Sequence, residues 1–237
     1  MLKNINLEKI LFLDIETVPE VFDYTDLDDV KRNLWDIKSK YKQRNGLTAE
    51  DIYEKAGIYA EFGKIVCISV GLIKQDENKQ IRLKSFYGHN EKQLLEEFIN
   101  LLLEHYNTNN HLLCAHNGKE FDFPYLARRM LINGLSLPDL LNIAGKKPWE
   151  INHLDTMELW KFGDYKHYTS LDLLTNIFKI PSPKNDITGA DVSKVYWEDE
   201  NVDRIAEYCE KDVIATAQLF LRYQGLPLIA DENVVSV

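Results

Sequence analysis

Along the chain, apolar positions switch between a period near two and a period near 3.6, and the switches mark the elements. Residues 10–15, ILFLDI, form an apolar run closed by Pro19 and predict a short buried strand. Residues 65–73, IVCISVGLI, are almost continuously apolar and rich in branched side chains, as a central strand covered on both faces requires. Residues 81–87 alternate and would pair beside it, residues 112–115 make another short strand, and residues 151–155 offer a fifth. Helical spacing runs through 91–106, with apolar residues at 94, 95, 98, 101 and 102. It recurs in 123–133, stopped by Gly134, in 170–178, ending before Pro181, and in 202–223, stopped by Gly225 and Pro227. Residues 20–60 are mixed and charged and read as an insertion with one or two helices. The tail from Asp231 is expected to be loose. This order predicts an α/β fold, a mixed five-stranded sheet covered by helices, in a single domain over residues 1–237.

Composition narrows the function. An apolar content of 45% supports a sizeable core in a chain of 237 residues. The formal net charge of -10 argues against a broad, non-specific grip on nucleic acid, but leaves room for a local basic strip beside an acidic site. Cys67, Cys114 and Cys209 are odd in number, far apart and set in apolar stretches, so we read them as reduced core residues of a cytoplasmic protein. No zinc-ligand spacing and no run of 18 apolar residues occurs, so no membrane partner is expected.

Candidate chemistry begins with Asp14 and Glu16. Two residues apart on a strand, they share a face. Two carboxylates there repel each other and cost desolvation, and a divalent cation would offset both. Solvated carboxylates at a strand end are the plain alternative. Asp212 is sharper: at about 100° per residue it falls inside the apolar stripe of the last helix, between Ile205 and Leu219, with Tyr208 one turn earlier. Asp122 either caps the helix that begins at Phe123 or joins the carboxylates. Asn117 either serves a turn or contacts substrate. Asp155 reads as a solvated strand end or as a support for the site. Lys31–Arg44 holds six basic residues and one acidic one, interleaved with Trp35 and Tyr41. It reads as a solvated helix face or as a path for a nucleic-acid strand; Lys146, Lys147 and Trp149 form a smaller candidate, and Lys184 another.

Asp14-Ile15-Glu16, Asn117-x-x-x-Phe121-Asp122 and Tyr208-x-x-x-Asp212, in that order, resemble the three motifs of the DEDD (DnaQ-like) 3′–5′ exonucleases. Tyr208 marks the tyrosine branch; the histidine branch would carry His where this chain has Glu207. The phrases FGKIVCISVGL, AHNGKEFDFPYLARR and SLDLLTNIFKIPSPKND are most similar to the proofreading exonuclease domain of family-B DNA polymerases and its stand-alone bacterial relatives. The resemblance covers residues 10 to about 223 and implies a ribonuclease-H-like fold acting on single-stranded or frayed DNA. It implies two Mg²⁺ or Mn²⁺ ions held by Asp14, Glu16, Asp122 and Asp212. Asp14 would bridge them, Glu16 and Asp212 would hold the ion that activates water, and Asp122 the second. Tyr208 would orient that water. Asn117 and Phe121 would touch the terminal nucleotide, and Thr17 and Val18 would line its pocket. An exoribonuclease of the same fold and a non-catalytic nucleic-acid-binding module are the rival readings.

Overall fold

The computed structural model describes residues 5–44, 46–75, 79–164, 168–181 and 187–237. Its centre is a mixed sheet of six strands in the order β5-β4-β1-β2-β3-β6. These are β1 (Ile10–Pro19), β2 (Gly63–Lys74), β3 (Gln80–Tyr87), β4 (Leu112–Ala115), β5 (Leu154–Asp155) and β6 (Val234–Ser236). β1, β2 and β3 form an antiparallel meander, while β4 lies parallel to β1, β5 to β4 and β6 to β3. The helices are α1 (Asp29–Ser39), α2 (Glu91–His105), α3 (Asp122–Ile132), α4 (Thr156–Lys161), α5 (Leu171–Ile177), α6 (Val192–Trp197) and α7 (Val202–Tyr223).

β1 is buried on both faces, and its alternation decides what points where. Leu11, Leu13 and Ile15 pack with Leu95, Phe98, Phe123 and Leu126 of α2 and α3. Ile10 and Phe12 face the other way, against Val213, Ala217 and Phe220 of α7. That helix lies close to the sheet because β2 offers Gly71: a Cβ there would meet Val213 at 2.8 Å. Residues of even number on β1 therefore look towards α7, down to a bulge between Glu16 and Thr17.

The mixed α/β class stands, but the strand count is six rather than five. The tail expected to be loose supplies the extra strand. Val234–Ser236 pairs with the outer edge of β3, which an uncovered ladder would otherwise expose. Ser236 donates to Glu210 at 2.8 Å, and Gln218 takes and gives a hydrogen bond at Ile229. The fifth strand is shorter than expected, since residues before Leu154 dock through a side chain instead of a ladder. The His153 ring accepts from the Leu113 amide and donates to the Leu140 carbonyl. The six-residue helices α4 and α6 are too short to have shown a helical period.

The insertion carries its own small core of Leu27, Trp35, Ala49, Ile52, Tyr53, Ala56 and Phe62. Trp35 is 1% exposed and its indole donates to the Ala49 carbonyl, so it is no stacking platform. The insertion is pinned to β1 at Gly57, where a Cβ would lie 2.9 Å from the Val18 carbonyl carbon. A buried ion pair fixes its far limb: the Arg129 guanidinium clasps both oxygens of Glu91 and donates to the Ala60 carbonyl. Among the described residues, no helix is long and apolar enough to cross a membrane. Lys184 lies outside the described residues.

Candidate active site

Asp14 and Glu16 share the parity of Ile10 and Phe12, so both project towards α7. Opposite them on that helix sits Cys209, fully buried, with its Sγ 3.3 Å from Asp14 Oδ2 and 3.4 Å from the Asp14 carbonyl. Candidate ligand atoms of Asp14, Glu16 and Cys209 lie within 4.8 Å of one another. Cys209 is reduced and buried, as expected of a core residue, yet its place is against a site carboxylate, a contact no sequence signal suggested. Burial first, then its contact with Cys67, pushes its thiol pKa well up, so it acts as a donor to Asp14 and not as a thiolate.

Asp122 is the first residue of α3 and 3% exposed. The capping alternative fails: Phe121 occupies the cap position, and no side chain caps this helix. The Asp122 carboxyl is instead buried, and the pull of its own amide and of the Ile15 amide on β1 partly offsets the rise that burial causes. The preceding turn is fixed by Asp155. This carboxylate, 3% exposed, accepts from the Asn117 and Lys119 amides at 3.0 and 3.1 Å. It also caps α4 by accepting from Met157 and Glu158 at 3.0 and 3.1 Å. The solvated strand-end reading of Asp155 is thus overturned. Its four donors come from segments that only the fold brings together. Asn117 adopts a left-handed backbone, φ 67°, and its buried Oδ1 has no hydrogen-bond partner. His116 ties a further segment to this turn, bonding Thr156 through Nδ1 and donating from Nε2 to the Thr169 carbonyl.

Asp212, half-buried on α7, lies one turn from Tyr208, whose nearby hydroxyl favours its ionised form. The four carboxyls sense one another. Burial, then Glu16, Asp122 and Asp212, holds Asp14 well above the usual carboxylate range. Burial, then Asp212 among others, does the same to Glu16. Burial raises Asp122 to about 7 against the pull of the two amides, and Asp212 to about 6 against the pull of the Tyr208 hydroxyl. Tyr208 is itself pushed far above its ordinary value by burial and then by Asp212, Glu16 and Asp14. Among the described residues, none of the four forms an ion pair, although Lys211 lends Asp212 partial relief. Four hard oxygen donors that crowd without a protein cation fit a divalent ion such as Mg²⁺ or Mn²⁺.

The expected substrate contacts divide. Phe121 is half-buried and lies 5.3 Å, ring to ring, from Tyr125. Tyr125 donates to the Gly57 carbonyl at 2.7 Å and has the Thr17 hydroxyl nearby. Thr17 opens into a cleft of about 450 Å³ with Phe22, Ile58 and Lys194. Val18 is fully buried among residues of α6 and α7 and offers no side-chain surface. On the far side, Asn117 and Asp155 border a second cleft of about 530 Å³ lined by Lys119, Arg128 and Lys146. Neither cleft wall includes the four carboxylates.

A sheet with α7 across one face, and carboxylates contributed by β1, α3 and α7, invites comparison with nucleases. Residues 58–232 match the family described as "Predicted 3'-5' exonuclease related to the exonuclease domain of PolB", and the chain belongs to that family. A DNA polymerase of Pyrococcus glycovorans is 22% identical over 224 residues, covering 85% of this chain and 28% of the polymerase. The family-B DNA polymerase of Pyrobaculum calidifontis superposes with a TM-score of 0.53 at 15% identity, over 91% of this chain and 24% of that one. The chain thus spans about a quarter of the length of these polymerases, and the structural likeness concerns the fold.

Proposed function

We propose that this protein is a metal-dependent 3′–5′ exonuclease that hydrolyses phosphodiester bonds at the end of single-stranded or frayed DNA. The observation that carries the reading is that the charges of Asp14, Glu16, Asp122 and Asp212 bear on one another, with no ion-paired cation among the described residues. These four would hold two divalent cations, which when bound supply an activated water and neutralise charge building on the phosphate. The chain is read as one catalytic domain, because β1 near its start and α7 near its end both supply carboxylates.

The chain's own groups then have distinct tasks. Tyr208 stays protonated far beyond neutral pH, so it positions rather than abstracts a proton. Its hydroxyl would orient the attacking water beside Asp212. Asn117, in a left-handed backbone and with an Oδ1 that lacks a partner among the described residues, suits a donor on the terminal nucleotide. Phe121 and Thr17 flank the same end through Tyr125. Asp155 holds the Asn117 turn and is a positioning residue.

The test uses matched DNA and RNA strands labelled at the 5′ or 3′ end, with Mg²⁺ or Mn²⁺. Release of mononucleotides from the 3′ label of DNA, lost in EDTA and in Asp14→Ala, is the expected result. Turnover that survives Asp14→Ala would remove the site from consideration. Preferential cutting of RNA would replace the substrate by ribonucleic acid.

A further inference from the structure

The insertion gathers charge in a way that the proposed reaction does not use. Lys38 near the end of α1 and Lys42 just beyond it both place their ammonium groups over the ring of Tyr59, at 5.2 and 4.9 Å from its centroid. Lys42 also lies 5.8 Å from the ring centre of Tyr41. The two phenols are joined by a hydrogen bond of 2.5 Å. Among the described residues neither lysine has a carboxylate within 4 Å, nor has Lys40 or Arg44. In a chain of net charge -10 this is an unusual gathering of unpaired cations. Partial burial alone would raise the Tyr59 pKa, yet the nearby Lys42 and Lys38 charges and the bond with Tyr41 hold it below its ordinary value.

The cluster is anchored and close to the cleft at Thr17. Tyr59 follows Ile58, which lines that cleft, and stands between two fixed points. Gly57 abuts Val18, and the Ala60 carbonyl is held by Arg129. Tyr41 is 57% exposed. Like charges held over one ring repel each other, and an anion between them would relieve the repulsion. The exposed Tyr41 phenol beside those charges suits a base next to phosphates better than it suits a purely acidic protein surface.

We propose that Lys38, Lys42, Tyr41 and Tyr59 form a second contact for the nucleic-acid strand, holding its phosphodiester backbone behind the end being cut. This rests on the exonuclease reading for its substrate but not for its measurement. The full chain is compared with Lys38→Ala/Lys42→Ala on a single strand of about 20 nucleotides and on a trinucleotide. KM for the long strand should rise about tenfold in the variant, with a smaller change on the trinucleotide. The slope of log affinity against log salt, measured by fluorescence anisotropy in EDTA, should flatten by about 1.4, or about 0.7 per lost phosphate contact. Lys38→Arg/Lys42→Arg should restore both readouts. Unchanged strand affinity and salt slope in the alanine variant would overturn the proposal. So would unchanged strand affinity with loss of binding to polyglutamate, which would assign the cluster to an acidic protein. Because anisotropy needs no turnover, a wild-type protein that binds but does not cut would refute the exonuclease reading and leave this one standing.

Discussion

Replacing Asp122 by asparagine should destroy the proposed activity and yet stabilise the metal-free protein. Burial raises this carboxyl from its ordinary 3.8 to about 7, so at pH 8 it is ionised at a cost. At 1.36 kcal/mol per tenfold change, the cost is about 4 kcal/mol. Asparagine keeps the shape and removes the charge, but buries an amide group in place of the carboxyl, at about 1–2 kcal/mol. A net gain of about 2–3 kcal/mol remains, which for a chain of this size raises Tm by roughly 5–10 °C. The sign with pH follows from proton binding. A raised carboxyl keeps its proton in the folded protein after losing it in the unfolded one. Its contribution is therefore favourable below about 4 and is lost as pH rises to about 7. The advantage of Asp122→Asn should be full at pH 8 and vanish near pH 4. Thermal unfolding in EDTA, followed by circular dichroism at both values, makes the comparison. A lower Tm for the variant at pH 8 would show that the crowding of these carboxylates is not a strain on the fold.

Mg²⁺ or Mn²⁺ at about 100 times its Kd should stabilise the wild type by about 2.7 kcal/mol, with affinity climbing between pH 5 and 7 as Asp212 and Asp122 ionise; a metal-induced Tm shift equal at pH 5 and pH 8 would contradict the assigned ligands. Tyr208→Phe should slow turnover about 10- to 100-fold while the metal midpoint in a titration stays within twofold, since the hydroxyl positions water; equal losses in both would make it a ligand support instead. Asp155→Ala removes an acceptor shared by four amides and should cost about 3 kcal/mol in urea unfolding. It should also raise KM, because the Asn117 turn loosens; an unchanged KM would detach that turn from the substrate. Arg129→Met leaves the Glu91 carboxylate buried and unpaired, at about 3–5 kcal/mol, and Glu91→Gln added to it should recover most of that loss.

Sequence patterns anticipated what depends on local period. The last helix runs from Val202 to Tyr223 as its stripe and its Gly225 stop require, and the two long strands sit where branched residues cluster. The parity that puts Asp14 and Glu16 on one face also survived folding. What was illegible depends on distant neighbours. Asp155 looks like a strand end because two of the amides that bury it lie 36 and 38 residues earlier in the chain. β6 has three residues, too few for alternation to register, and exists because β3 offers a free edge. Trp35 sits in a basic stretch that reads as one surface, yet the helix turns it inward to Ala49 while Tyr41 stays out.

The residues that broke the local patterns are also those that converge. Asp212 interrupts an apolar stripe, Glu16 lies buried on a strand, and Asn117 takes a left-handed conformation. Each costs stability where it stands, and among the described residues no ion-paired cation repays the charges. A sequence in which every local choice served folding alone would place Leu, Val and Gly at those positions. Three such departures, drawn from β1, from the turn before α3 and from α7, are hard to explain as packing. They are accounted for by a ligand that only the folded protein can hold, and that same ligand would return the stability they cost.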